Sequence, residues 1–189
     1  MANRNTQGFG LIPAGTLGGS PSIQGQGKYK IDAGHSTTIY NGECVKISSG
    51  YVVGGNGSAA NIVGVLNGIF FNAATTLKPT FSNFYKATIT PANSEDTVAF
   101  VMDDPFQQYV VSSDAARTQA QFLATYDMNS SAGSDTTGKS SSTLDTSETS
   151  ADGKQFRLIR SAEDPENEDI TAAFFSGIVV SNLNSYNQV

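Results

Sequence analysis

Three kinds of residue in this chain could do chemistry: a phosphate-loop pattern, a lone histidine with a lone cysteine, and several paired carboxylates. Gly133 to Ser140, GSDTTGKS, satisfies G-x-x-x-x-G-K-[ST]. A working phosphate loop needs a buried strand leading in and a helix leading out, so that backbone amides and the helix N-terminus cradle phosphate. Here Tyr126-Asp127-Met128-Asn129 and a Ser-rich tract lead in, and Ser141-Ser142-Thr143-Leu144 leads out. Neither flank suits those elements, and Asp135 sets a carboxylate where phosphate would lie. Gly55 to Ala60 fits the looser G-x-G-x-x-A, but Asn61 to Leu66 after it reads as a strand, not as a dinucleotide-fold helix. His35 reads as a surface residue of a turn and Cys44 as a small hydrophobe inside a strand. One His and one Cys cannot assemble a zinc site of ordinary ligand type, and no third group is evident to orient a Cys–His dyad. Asp103-Asp104, Asp164 with Glu166, and Glu168-Asp169 could serve glycoside hydrolysis, which needs two carboxyls across a cleft and aromatic platforms for sugar. The chain has no Trp, and the acidic 163–169 turn lacks EF-hand spacing. The sequence predicts no catalytic residue, no cofactor and no metal.

The elements that would carry these residues are strands. Hydrophobic residues make up 38% of the 189 residues, below the usual share of about 45–50%, with Gly, Ser, Thr and Asn in their place. That mixture suits short strands and many turns. The centre of the pattern is Thr97 to Val111, TVAFVMDDPFQQYVV, where Val98, Phe100 and Met102 alternate, as do Phe106, Gln108 and Val110. Pro105 has no N–H to give a ladder, so Asp103-Asp104-Pro105 reads as a corner between two strands sharing a core. The net charge is −6 with only 11 basic residues. No Lys/Arg cluster is present to displace counterions from phosphate, so nucleic acid is excluded as a partner. No apolar run is long enough to span a bilayer and the N-terminus is too polar for a signal peptide, so the expectation is synthesis in the cytoplasm with no membrane contact.

Taken in order, residues 1–27 are Gly-rich and without periodicity, and read as an extended arm outside the core. Their spaced apolar residues Phe9, Leu11, Ile12, Leu17 and Ile23 are the candidate anchors to a partner. Residues 28–181 form the β domain, and 182–189 a polar tail. Within the domain Asn41-Gly42 predicts a hairpin between 37–40 and 44–47. Further strands are expected at 51–53, 62–66, 69–71, 84–89, 122–126, 156–160 and 173–181. A helical turn or two is expected over 113–120. Residues 129–154 are read as a long polar loop. The predicted fold is a compact β-barrel or sandwich of about ten strands.

The order of features resembles a known group. Tyr29 to Val45 (YKIDAGHSTTIYNGECV), Ile62 to Ile69 (IVGVLNGI), Val101 to Pro105 (VMDDP) and Gly138 to Ser147 (GKSSSTLDTS) look like the capsid decoration, or cement, proteins of tailed bacteriophages. The resemblance implies a non-enzymatic structural protein on the outer surface of the virion. It would bridge neighbouring major capsid protein subunits and stabilise the mature shell as a homo-oligomer, a trimer or a dimer. The N-terminal arm would do the clamping, so that deleting residues 2–26 leaves a folded core that no longer binds. The alternative from a different class is a carbohydrate- or host-surface-binding β-module, such as a head-fibre base or receptor-binding knob, with the 129–154 loop as its contact surface. A hydrolase has only the acidic pairs in its favour.

Overall fold

The structure is a computed structural model and describes residues 2–19, 25–57, 61–129, 133–150 (backbone alone at 148–150) and 153–186. All its long elements are strands: β1 (Ile12–Thr16), β2 (Gly27–Ile31), β3 (Cys44–Ser48), β4 (Tyr51–Gly54), β5 (Gly64–Asn72), β6 (Pro79–Ser82), β7 (Thr97–Met102), β8 (Gln107–Ser112), β9 (Thr125–Met128), β10 (Leu144–Ser150), β11 (Phe156–Ser161) and β12 (Ser176–Ser181). Among the described residues the helical content is two single 3₁₀ turns, Ala92–Ser94 and Gln119–Gln121. The all-β class expected from composition and alternation is the class observed. The strands form two antiparallel sheets of six, ordered β1-β8-β12-β11-β9-β10 and β2-β7-β5-β3-β4, with β6 added to β5.

The Asp103-Asp104-Pro105 corner is where the chain changes sheets. β7 lies between β2 and β5, and β8 between β1 and β12, so the two flanking strands pair with others and not with each other. Asp104 makes the corner: its carboxylate accepts from the Phe106 N–H at 2.8 Å and its carbonyl from Gln107 at 3.1 Å. The alternation seen in the sequence is real, but the better-buried face is the other one. Thr97, Ala99 and Val101 are buried, as are Gln107, Tyr109 and Val111, while Val98, Phe100, Gln108 and Val110 are only half-buried. Both faces of these strands are apolar enough that periodicity could not rank them.

The second sheet has two jobs. It curls until its end strands β2 and β4 come together, closing around Ile31, Val45, Leu66, Ile69, Tyr85 and Val101. Its opposite face gives Cys44, Val65 and Met102 to a second core, where the first sheet adds Tyr109, Phe156, Leu158 and Val179. Neighbours in sequence thus serve different cores (Cys44 and Val45, Val65 and Leu66, Val101 and Met102), because successive side chains leave opposite faces of a strand. In the core between the sheets the Tyr109 and Phe156 rings meet edge-on at 6.3 Å, and each such buried side chain is worth about 1.5–3 kcal/mol.

Several local expectations are corrected by tertiary context. Gly42 turns the chain with φ of 79°, but no Asn41-Gly42 hairpin forms. Ile39 bridges Tyr85, and β3 pairs with β4 and β5. Residues 84–89 are turn and not strand; that single bridge at Tyr85 is their ladder contact. The strands expected at 62–66 and 69–71 are one continuous β5, with a bulge between Leu66 and Gly68 taking up the irregularity. The helical passage at 113–120 reduces to the 3₁₀ turn, closed by a Thr118–Gln121 capping box. The polar stretch read as one loop over 129–154 carries β10 at the sheet edge. Leu144, Ser142 and Ser140 before and at its start are buried. Small hydroxyls can be buried when they are bonded. Ser140 and Ser142 Oγ atoms share a hydrogen bond at 2.6 Å, and Asn56 Nδ2 donates to Ser142 at 2.5 Å.

Candidate interaction surface

The residues that looked chemical are spent on structure. Gly138 adopts φ of 69° in a tight loop whose Gly138 N–H bonds the Ser134 carbonyl, and the chain leaves it through buried Ser140 with no helix. Asp135 of that loop takes the Tyr40 hydroxyl at 2.8 Å and pairs with Lys86 at 3.0 Å. Cys44 is fully buried and its thiol lies 2.9 Å from Asn56 Oδ1. Burial pushes the thiol well above its ordinary range, and a thiol held protonated is a poor nucleophile. His35 is not brought to it: its ring packs against Tyr85, centroids 5.5 Å apart, in the other core. It is half-buried where the sequence placed it on the surface, and burial lowers its pKa. Each carboxylate pair has a member that accepts hydrogen bonds within the fold. Asp103 accepts from Tyr29, Asp164 from Asn167 and Glu166, and Asp169 from the Thr171 hydroxyl and amide. Those Thr171 bonds hold Asp169 down at about 2. No group of three or more His, Cys, Asp or Glu capable of holding a metal occurs among the described residues.

The N-terminal segment, by contrast, builds a surface. It is extended, as expected, but it is stitched to its own domain. Asn3 donates to the Asp169 and Ala173 carbonyls and accepts from the Asp169 N–H. Arg4 pairs with Glu166, and the Asn5 N–H bonds Asn167 Oδ1 at 2.7 Å. Gly8 passes so close to the Ser141 carbonyl that a Cβ would overlap it. Gly10 and Leu11 then donate to the Ser142 and Gly42 carbonyls at 3.1 and 2.8 Å. From Ile12 the chain is β1, paired with β8.

The five anchors named from sequence therefore meet different fates. Leu11 is 2% exposed and belongs to the core between the sheets, so it is not available to a partner. Phe9 and Ile12 line one cleft of about 190 Å³ with Pro13, Met102, Asn67 and Lys139. Leu17 stands 43% exposed beside Phe106 at the far end of β1. Ile23 lies outside the described residues. At that volume the cleft is smaller than the roughly 300–1,000 Å³ of small-molecule sites; it suits one inserted apolar side chain. Asn41 and Gly42 of the Tyr40–Glu43 turn also line it, and Glu43 holds that turn by accepting from the Tyr40 N–H at 2.9 Å. Burial raises the Glu43 carboxyl to about 7.

Sequence reasoning missed Met102, Asn41, Asn67 and Lys139 as cleft residues. Two strands, β5 and β7, and two loops bring them together, and nothing in their local spacing signals it. It also missed an aromatic platform on the open face of the second sheet. Phe70 pairs across to Phe81, and the Phe81 ring lies over Gly68 and meets Phe100 at 6.3 Å. No family model matches the chain, and neither a curated protein nor a solved structure matches it.

Proposed function

We propose that the chain is a non-enzymatic structural protein that binds the outer surface of an assembled phage head, bridging neighbouring major capsid protein subunits and stabilising the mature shell. One observation carries the reading onto particular residues: Phe9 and Ile12 of the Gly-rich leader frame a side-chain-sized apolar cleft on a domain of two tightly packed sheets. A cement protein needs a rigid body and apolar contacts, and it needs no reaction centre. Binding only the assembled shell stabilises it by mass action, and many copies on a lattice add weak contacts by avidity. The clamp is the fixed leader with its cleft, not a free arm. An apolar side chain of the capsid protein enters beside Phe9, and Lys139 at the rim faces the acidic or carbonyl groups around it.

The test is quantitative mass spectrometry of purified particles, followed by binding of purified variants to heads. A copy number near that of the major capsid protein, or a simple fraction of it, is expected. A handful of copies, or none, overturns the lattice-wide role. Deleting residues 2–26 is the wrong probe, since it removes buried Leu11 and all of β1. Phe9→Ala with Ile12→Asp is the right one. It should weaken head binding about 30-fold or more, as loss of a central anchor does, while far-ultraviolet circular dichroism stays unchanged. Undiminished binding removes the cleft from the reading.

A further inference from the structure

The Gly133 to Ser140 loop, which has no helix after it to cradle phosphate, supplies one wall of the cleft through Lys139. Phe9 and Lys139 line the cleft, and both also line a second hollow of about 210 Å³ with Gln7, Ser134 and Thr137. The backbone of Lys139 is fixed on both sides. Asn41 bridges it, donating to the Gly138 carbonyl and accepting from the Ser140 N–H, each at 2.9 Å. The Lys139 carbonyl accepts from Ser134 at 2.9 Å, and its N–H donates to Thr137 Oγ1 at 3.3 Å. Side chains of residues opposed in a bridge leave on one face, so Asn41 and Lys139 reach the same cleft.

These side chains offer donors. Lys139 is exposed, and its ammonium has no ion-pair or hydrogen-bond partner among the described residues. Asn41 Nδ2 is taken by the Asn67 carbonyl at 2.9 Å, while Asn67 Nδ2 has no partner among the described residues. The Ser134 and Thr137 hydroxyls already accept from backbone N–H groups, so their own hydrogens remain to be given. Among the described residues no Asp or Glu lines either hollow. The nearest carboxylates in sequence are engaged elsewhere, Glu43 by the Tyr40 N–H and Asp135 by the Tyr40 hydroxyl and Lys86. An unpaired cation beside unfilled donors is a local site for an anion, even on a chain of net charge −6. A free inorganic anion would leave Ile12 and Met102 of the cleft uncovered, so the fitting ligand carries both an apolar and an anionic group.

We propose that the cleft and the hollow together bind an extended segment of the partner that carries an apolar and an acidic side chain two positions apart. Alternate side chains of an extended chain share a face. The apolar one enters beside Phe9 and Ile12, while the carboxylate lies on Lys139 and the donors around it. Charge complementarity selects this occupant, since the wall presents a cation and N–H and O–H donors with no carboxylate to repel it. The inference rests on the proposed function, to which it adds the chemistry of the capsid segment and the residue, Lys139, that reads it.

The experiment is a nuclear magnetic resonance titration of the isotope-labelled full-length chain with the peptide acetyl-Ser-Asp-Ser-Leu-Ser-Asp-Ser-amide and with its twin carrying Asn for Asp. The Asp peptide should shift the amides of Phe9, Asn67 and Lys139 and bind about 5-fold more tightly than its twin, as one partly exposed ion pair allows. Lys139→Gln should abolish that preference and Lys139→Arg should retain it, both variants keeping the wild-type spectrum elsewhere. Equal binding of the two peptides, binding of neither, shifts away from the cleft, or a preference that survives Lys139→Gln overturns the proposal. So does stronger binding of methyl glucuronide at the same amides, which would assign the hollow to an acidic sugar. Head binding separates this inference from the reading beneath it. A chain abundant in particles whose Lys139→Gln variant binds heads like the wild type overturns the acidic contact and leaves the capsid role standing. A chain absent from particles that still prefers the Asp peptide does the reverse.

Discussion

Burial holds the Glu43 carboxylate away from water with one backbone donor, the Tyr40 N–H. Its folded pKa, about 7, lies above the ordinary 4.5. The folded state therefore binds this proton more tightly than the unfolded state, and the stability linked to it is fully present below about pH 4.5 and lost as pH rises to about 7. Glu43→Gln keeps an acceptor for Tyr40 and removes the ionisation. Urea titrations at pH 4.5 and pH 8 should show the variant gaining on the wild type with pH, by on the order of 2 kcal/mol at the upper end. Equal differences at both values would mean that Glu43 is already well solvated. Gly64 is a residue-scale constraint of another kind, since a Cβ there would overlap the Met102 carbonyl and crowd Val101. Gly64→Ala should cost about 1–3 kcal/mol in the same assay. Arg117 is 4% exposed, its Nε and Nη2 are unpartnered, and its guanidinium lies 4.7 Å from the Tyr126 ring centre. That stacking, with the attraction of the nearby Asp114 and Asp145 carboxylates, offsets part of so costly a burial.

At the scale of elements, the N-terminal segment behaves as a seam. It joins the 164–173 turn, the 140–143 passage and the Asn41-Gly42 turn before entering the first sheet as β1. Removing residues 2–11 would take away Leu11 and the bonds to Ser142, Gly42 and Asp169. The expected outcome is a loss of stability of about 2–5 kcal/mol, as for deletion of a large buried side chain, read as a lower thermal midpoint. An unchanged midpoint would mean that the segment is a detachable arm after all. The extended character of this segment was legible in its composition. Its attachment was not, because Gly8 to Leu11 bond to residues 30 to 130 positions away. The polar tract beyond 139 was misread for a related reason: serines look like loop until a bonding partner such as Asn56 is placed beside them.

The whole molecule divides its core in two, and the curled second sheet serves both halves. Strand existence was readable nearly everywhere β-branched and aromatic residues alternate, as in β7, β8, β11 and β12. Strand partners were not, and the Asn41-Gly42 hairpin is the clearest case, since its local turn preference lost to pairing of Ile39 with Tyr85 and of β3 with β4. The same holds for sites. Phe9, Ile12 and Leu17 were visible as apolar residues in a polar leader. The cleft around the first two exists only once distant strands are adjacent.

The sequence alone determined the all-β class and the break between two strands at Asp103-Asp104-Pro105. Those follow from period-2 alternation and from a proline with no N–H to donate. The tertiary structure decided which face of each strand is buried, that Leu11 is core while Ile12 is surface, and that the Asp103-Asp104-Pro105 corner changes sheets. Each of these depends on strand order, and strand order is set by burial summed over the whole chain, a quantity no local stretch contains.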